Sequence, residues 1–223
     1  MATISIGNLE GRQTLRTVVL SHLLLPSEAL IGYSTKAIQD WIGPDLAQSN
    51  DFAAFFSLIS HPHRRIQTAS LISLRQKLSN SDYHESLEKA NVIVMIRTLV
   101  DSDNPEALNF VMEALRVLGL SLARNGHSST IISLLMHKEP KVRVGAAAAL
   151  EAIASSAREG KLLVEEDIIG RLIDHEERLE QTQLDLLSSV IPKLAIGYLN
   201  IGKIGLILTL IEYGIPFTGD NLS

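Results

Sequence analysis

The stretch LLMHKEPKVRVGAAAALEAIA, residues 134–154, carries the pattern that decides the fold. Apolar residues at Ile131 and Leu135 precede a break at Lys138-Glu139-Pro140. After the break they recur at spacings of four, four and three, at Val142, Ala146, Leu150 and Ile153. Such spacings place side chains on one face of a helix, and proline suits a first helical turn. The stretch therefore predicts a helical hairpin, a helix A followed by a helix B.

The same hairpin pattern recurs four more times along the chain. Counted from a zero position in each B helix, the template positions are −11, −7, 0, +4, +8 and +11. The zero positions are Leu30, Ile66, Ala107, Val142 and Leu179, which lie 36, 41, 35 and 37 residues apart. Every template position is apolar except Ser34, Ser70, Lys77 and Gln183. These periods match helical-hairpin repeats, which run about 34–47 residues.

The repeats predict one continuous array over residues 1–223. Its five hairpins are expected at about 12–43, 51–79, 84–124, 127–158 and 163–200, with a capping helix at 201–213. Turn residues mark the breaks between repeats, for example Asn125-Gly126 and Glu159-Gly160. In the last helix, Ile204 and Leu208 repeat the spacing of an A helix. This apolar end either caps the array or associates with a second copy of the chain.

Residues 134–154 resemble the armadillo/HEAT consensus in their apolar helix, Pro-containing turn, Val-Arg pair and Ala-Leu-rich second helix. Residues 96–118 and 168–190 resemble it more weakly, and the resemblance covers about residues 12–200. It implies an all-α fold, a right-handed α-α superhelix of the armadillo/HEAT-like solenoid type. Residues 82–90 can form the short extra helix that distinguishes armadillo from HEAT repeats, which favours the armadillo type.

Composition excludes several classes of function. The net charge of −5 is mild and the basic residues are dispersed, which disfavours a nucleic-acid partner. The absence of cysteine excludes disulfides and thiolate catalysis. No secretory signal is recognised in the first 30 residues, and the apolar run at 204–211 is too short for a membrane span. We expect a soluble cytoplasmic protein, with a nuclear location as the alternative, and no membrane partner.

Two His-Glu dipeptides raise the question of an enzyme, because HEAT-like deoxyhypusine hydroxylases hold a di-iron centre with four of them. Here His84-Glu85 is predicted in a connector between repeats, and His175-Glu176 in an A-to-B turn. These inequivalent positions do not predict converging ligands. We interpret both dipeptides, and the turn histidines His61 and His63, as solvated surface groups. No catalytic residue, metal or cofactor is predicted.

The candidate binding residues lie at offsets +2, +6 and +9 of each B helix, opposite the apolar anchors. These offsets define the B face. The candidates are Lys36, Gln39, Thr68, Ile72, Arg75, Asn109, Glu113, Arg116, Val144, Glu151, Gln181 and Asp185. Gly32, Ala148 and Ser188 share the offsets.

In proteins that this chain resembles, the B helices line a concave groove. We therefore expect a non-catalytic interaction module, scaffold or adaptor that binds a protein along the B face. Lys36, Arg75 and Arg116 suggest that the partner presents an acidic, extended segment. The alternative is a HEAT-scaffold enzyme, hydroxylase-like or lyase-like, with its site in the groove.

Overall fold

The computed structural model describes residues 28–42, 52–156 and 158–173, together with 188–190, 192–194, 197, 198, 205 and 208. They divide between two compact units, Met1–Ala90 and Asn91–Ser223. All the regular structure of the described residues is helical, so the predicted all-α fold class is confirmed. The single array over residues 1–223 stays a prediction. The first predicted A helix lies outside the described residues, as does the cap at 201–213 except for Gly205 and Leu208.

The first unit is built around a long B helix. Its helices are α1 (Glu28–Ala37), α2 (Phe52–Ile59), α3 (Arg64–Leu78) and α4 (His84–Lys89). A π-helical turn (Ile38–Ile42) follows α1, and a 3-10 turn (Ser81–Tyr83) precedes α4. Helix α3 packs against α1, the π-helical turn and α2. The ring of Phe52 stacks on Phe55 at 6.2 Å and meets the edge of Tyr83 at 6.4 Å, which closes the core at one end of α3.

The second unit centres on two B helices that pack side by side. Its helices are α5 (Val92–Leu99), α6 (Pro105–Arg124), α7 (Ser128–Leu134), α8 (Pro140–Ala154), α9 (Gly160–Glu165) and α10 (Ile168–Ile173). Among the described helices, α6 and α8 share the most extensive contact. A Cβ atom on Gly145 would lie 2.8 Å from the Cα of Met112, and one on Gly119 would lie 2.4 Å from the Cβ of Ala149. Glycine and alanine therefore allow the two backbones to approach closely.

Local sequence signals explain where α6 begins and ends. The side chain of Asn104 accepts a hydrogen bond from the Glu106 N–H at 3.1 Å, and Pro105 occupies the first turn, as expected of a helix N-terminus. At the other end, Gly126 adopts a φ of 82°. The N–H of His127 reaches the carbonyl of Leu122 at 3.0 Å, the pattern of a Schellman C-cap. The break predicted at Asn125-Gly126 is confirmed.

The predicted register of the core is confirmed. Every described template anchor is buried except Lys77. The ammonium of Lys77 instead lies 5.6 Å above the ring of Tyr83, a cation–π contact that suits a half-buried lysine. The buried anchor Ser70 satisfies its hydroxyl by donating to the Ile66 carbonyl at 2.8 Å.

The helices give further detail at two of the breaks between repeats. His84-Glu85, predicted to lie in a connector between repeats, begins the short helix α4. Helix α9 begins at Gly160, close to the bound of about 163 expected for the fifth hairpin, and the hairpin bounds stay a prediction. A Cβ on Gly160 would lie 3.4 Å from both Ala154 O and Leu194 Cδ2, so glycine at this position fits a tightly packed helix start as well as a break. The short helix expected within 82–90 is confirmed as α4.

Candidate binding surface

The B face is accessible throughout the described part of the chain. Of the candidates, Lys36, Gln39, Arg116, Val144 and Glu151 are exposed, whereas Thr68, Ile72, Arg75, Asn109 and Glu113 are half-buried. Gln181 and Asp185 lie outside the described residues. None of the described candidates is buried, whereas the described anchors on the same helices are, apart from Lys77. The B helices are therefore amphipathic, with the B face turned toward solvent.

In the second unit, the close packing of α6 and α8 brings two rows of the B face together. The Lys141 ammonium donates to Oδ1 of Asn109 at 2.5 Å, bridging the two helices. Asn109 in turn donates to Glu106 at 3.1 Å. Sequence reasoning missed Lys141, which follows Pro140 in the first turn of α8. The run of small residues from Gly145 to Ala149 was the available signal that the helices approach closely.

Arg116 and Glu113 form an ion pair within this surface. Arg116 Nη2 and Nε lie 2.5 Å and 3.0 Å from the two carboxylate oxygens of Glu113, and the carboxylate raises the pKa of Arg116. The arginine side chain is 60% exposed and the glutamate only 19%. A partner approaching α6 therefore meets more of the cation than of the anion.

An exposed valine interrupts the polar surface. Val144 is 43% exposed and lies one turn after Lys141 on α8. Its neighbour Gly145 packs against Met112, which is adjacent to Glu113 in α6. Near the C-terminal end of α8, the Glu151 carboxylate lies 3.4 Å from the ammonium of Lys193, which also donates to the Ser155 hydroxyl at 2.9 Å. The surface thus combines one apolar side chain with a frame of polar contacts.

In the first unit, the structure brings α1 and α3 into contact. Lys36 is exposed on α1, and Ile72 and Arg75 are half-buried on α3. The basic patch predicted from Lys36, Arg75 and Arg116 draws on both units, so it stays a prediction.

Solved structures resemble the chain, although no protein-family model and no curated protein matches it significantly. Computationally designed armadillo repeat proteins for modular peptide recognition superpose with a TM-score of 0.63 at 13% identity, over 92% of this chain and 94% of theirs. A designed armadillo repeat protein in complex with the peptide (KR)4 gives 0.62 at 13% identity, with the same coverage. An engineered protein gives 0.58 at 16% identity, over 88% of this chain and 89% of its own.

The chain has an armadillo/HEAT-like repeat fold. At these identities the likeness concerns the fold alone. The described residues contain no helix that is long and apolar enough to cross a membrane.

The A-to-B turns of three armadillo/HEAT-like repeats share one hydrogen bond. Counted from the zero position of each B helix, the side chain at −5 accepts a hydrogen bond from the backbone N–H at −3. The residue at −3 is the N-cap of the B helix. The pairs are His61 Nδ1 with His63 at 3.0 Å, Ser102 Oγ with Asn104 at 3.1 Å, and His137 Nδ1 with Glu139 at 3.2 Å. The interpretation of His61 as a merely solvated group is therefore wrong, since its ring holds the turn.

The arginine of the Val-Arg pair has a structural role in the fourth repeat. Arg143 is buried, and its Nη1 donates to the carbonyls of His137 at 2.8 Å and Lys138 at 2.9 Å. These carbonyls follow the C-terminus of α7, where a cation satisfies free acceptors and interacts well with the helix dipole. Arg143 thereby fixes α8 to the end of α7.

Successive turns are also linked at the surface. The Lys138 ammonium lies 2.9 Å from the Asp101 carboxylate. It lowers the pKa of Asp101, chiefly through this hydrogen bond, and the carboxylate raises the pKa of Lys138. Because both side chains are well exposed, the contact orients the turns more than it stabilises them.

A pocket of about 390 Å³ lies beside α9 and is lined by Arg124, Arg158, Glu159, Lys161, Leu162 and Glu165. The buried carboxylate of Glu159 accepts from Ser156 and from Arg124, the latter at 2.9 Å. These two hydrogen bonds lower the pKa of Glu159, that of Ser156 contributing most. The buried acid is thus committed to joining the end of α6 to the start of α9.

The histidines flagged in the sequence are not brought together as metal ligands in the described part of the chain, where no group of three or more His, Asp or Glu side chains is placed to hold a metal ion. His84 is half-buried and its Nε2 bonds the Leu78 carbonyl at 2.8 Å, so it is not a solvated group as predicted. Glu85 pairs instead with Lys89 at 2.6 Å. His175-Glu176 lies outside the described residues.

Proposed function

We propose that this protein is a non-catalytic protein-binding module that holds an extended segment of its partner along the B face. The observation that carries the proposal is Val144, an exposed valine on a B helix whose backbone is held close to α6. An apolar side chain within a rigid, hydrogen-bonded surface is a suitable anchor for a partner, because its burial adds affinity without ordering a flexible loop. The designed armadillo proteins with this fold, described as peptide-recognition modules, support the same use of the surface.

We propose further that the partner segment is acidic. Arg116 is far more exposed than Glu113, and Lys141 contacts the neutral amide of Asn109 among the described residues. Both cations are exposed on the α6–α8 surface, where a partner carboxylate would contact them. In the first unit, Lys36 and Arg75 are the basic residues of the B face. The designed armadillo repeat protein in complex with (KR)4, by contrast, holds a basic peptide.

Fluorescence anisotropy with three labelled peptides tests the proposal. One peptide alternates Glu and Leu, one alternates Lys and Arg, and one alternates Ser and Gly. Of the three peptides, we expect only the Glu-Leu peptide to bind measurably. The Val144→Glu variant should bind that peptide at least tenfold more weakly, roughly the effect of losing a buried anchor.

Val94 provides a matched control. It is 52% exposed, it also lies on a helix of the second unit, and its offset is not on the B face. Val94→Glu should bind the Glu-Leu peptide as the wild type does. Equal losses in the two variants would show that the B face is not the binding surface. Failure of all three peptides to bind would contradict the function itself.

The apolar C-terminal end is the rival surface. Leu208 is 55% exposed, which favours the predicted self-association of that end, whereas Ile204 lies outside the described residues. Sedimentation of wild type and Leu208→Glu over a range of concentrations decides whether a dimer forms there.

A further inference from the structure

The neutral form of His137 is needed for its hydrogen bond in the turn between α7 and α8. Nδ1 of the ring accepts the Glu139 N–H, so it must carry a lone pair. An imidazolium ion has two N–H donors and no acceptor. Protonation therefore leaves the Glu139 N–H facing another donor, and a flip of the ring does not restore an acceptor.

We propose that His137 is a proton-sensitive lock on the turn that begins α8. The neutral ring holds the turn, and uptake of a proton releases it. The equivalent turn before α6 uses the Ser102 hydroxyl for the same hydrogen bond. A hydroxyl does not titrate in this range, so the neighbouring repeat contains a lock that is insensitive to pH.

Charged side chains of both signs lie around the His137 ring. Asp101 Oδ1 lies 3.6 Å from Nε2, and Glu139 is a second acidic residue in the same turn. Asp101 is, however, already bonded by Lys138 at 2.9 Å. The guanidinium of Arg143 lies on the carbonyl of His137 itself. Uptake of a proton would place a third positive charge near these two cations and would remove the Nδ1 acceptor.

Release of this turn also reaches the B face. Lys141 lies in the first turn of α8, immediately after the residues that the lock holds, and it bridges to Asn109 on α6. The lock therefore fixes the end of the α6–α8 surface at which Lys141 is placed. The proposal itself concerns the turn and does not depend on any partner.

Amide hydrogen exchange of the whole chain, followed by NMR and corrected for intrinsic rates, tests the lock. When the pH falls from about 7.5 to about 5, across the range in which histidine titrates, exchange at the Glu139 amide should rise about tenfold relative to the Asn104 amide. His137→Asn should abolish this difference. Asparagine side chains already make the same bond to the N–H two residues on at Asn80, to Asp82, and at Asn104, to Glu106.

The variant His137→Ser copies the Ser102 turn and serves if the asparagine variant does not fold. Two results would overturn the proposal. One is an equal rise at the Glu139 and Asn104 amides in the wild type. The other is an unchanged pH response in the folded variant. Either result would mean that the His137 ring does not control the turn.

Discussion

Gly145→Ala tests the packing that holds the B face together. A Cβ at this position would lie 2.8 Å from the Cα and 2.9 Å from the carbonyl oxygen of Met112. Ordinary van der Waals contact begins at 3.4 Å, so α8 must move away from α6 by about 0.6 Å. The obstructing atoms belong to the backbone and cannot rotate aside.

The magnitude follows from two opposing terms. Replacing glycine by alanine inside a helix normally stabilises by about 1 kcal/mol. Overpacking a close contact costs about 1–3 kcal/mol, and a backbone obstruction belongs at the upper end of that range. We expect a net loss of about 1–2 kcal/mol, measured as the unfolding free energy in urea followed by circular dichroism.

Gly32→Ala is the matched control, since Gly32 lies inside α1 on the B face and a Cβ there would meet nothing within 4 Å. It should stabilise by about 0.5–1 kcal/mol. If Gly145→Ala stabilises as much as Gly32→Ala, the close approach of α6 and α8 is wrong. The positions assigned to Lys141 and Val144 would then lose their support.

Three further predictions concern the core, the pH dependence and the charge of the binding surface. Leu150 is fully buried, and Leu150→Ala should cost about 2–5 kcal/mol; an unchanged melting temperature would refute the register. Burial raises the pKa of Tyr198 from 10.0 to about 12. Its contribution to stability is therefore complete below pH 10 and should decline as the pH rises toward 12. Tyr198→Phe should remove that part of the decline, and an identical alkaline profile would contradict the burial. Reversing Lys36, Arg75 and Arg116 to Glu should weaken Glu-Leu peptide binding at least about tenfold at low salt and much less at high salt. Unchanged binding at low salt would mean that these charges are only solvated.

The fold was predictable because one signal recurs. Apolar spacing placed three zero positions correctly, since the burial of Ile66, Ala107 and Val142 follows from that spacing alone. Lys77 departs from the pattern because Tyr83, a residue of the following connector, offers its ring to the ammonium. Helix ends at Asn125-Gly126 were equally visible, since glycine there adopts a left-handed conformation that other residues disfavour.

The contacts of the candidate site were less predictable because they join residues far apart in sequence. The bridge from Lys141 to Asn109 depends on how closely α6 and α8 pack. Gly119, Gly145 and Ala149 allow the two helices to pack this closely, but the apolar periodicity of the sequence does not show how close they come. The hydroxyl of Tyr198 accepts from Ile169 N–H at 3.1 Å, 29 positions away, and helical periodicity says nothing about such a contact. His137 acts through ring chemistry that composition does not reveal.

Binding of a protein segment to the B face can be observed residue by residue, by backbone NMR with the unlabelled Glu-Leu peptide. We expect saturable chemical-shift changes on α6 and α8 at Asn109, Arg116, Lys141 and Val144, with little change at Val94. Shift changes confined to the region of Leu208, or none at all at saturating peptide, would contradict binding to the B face.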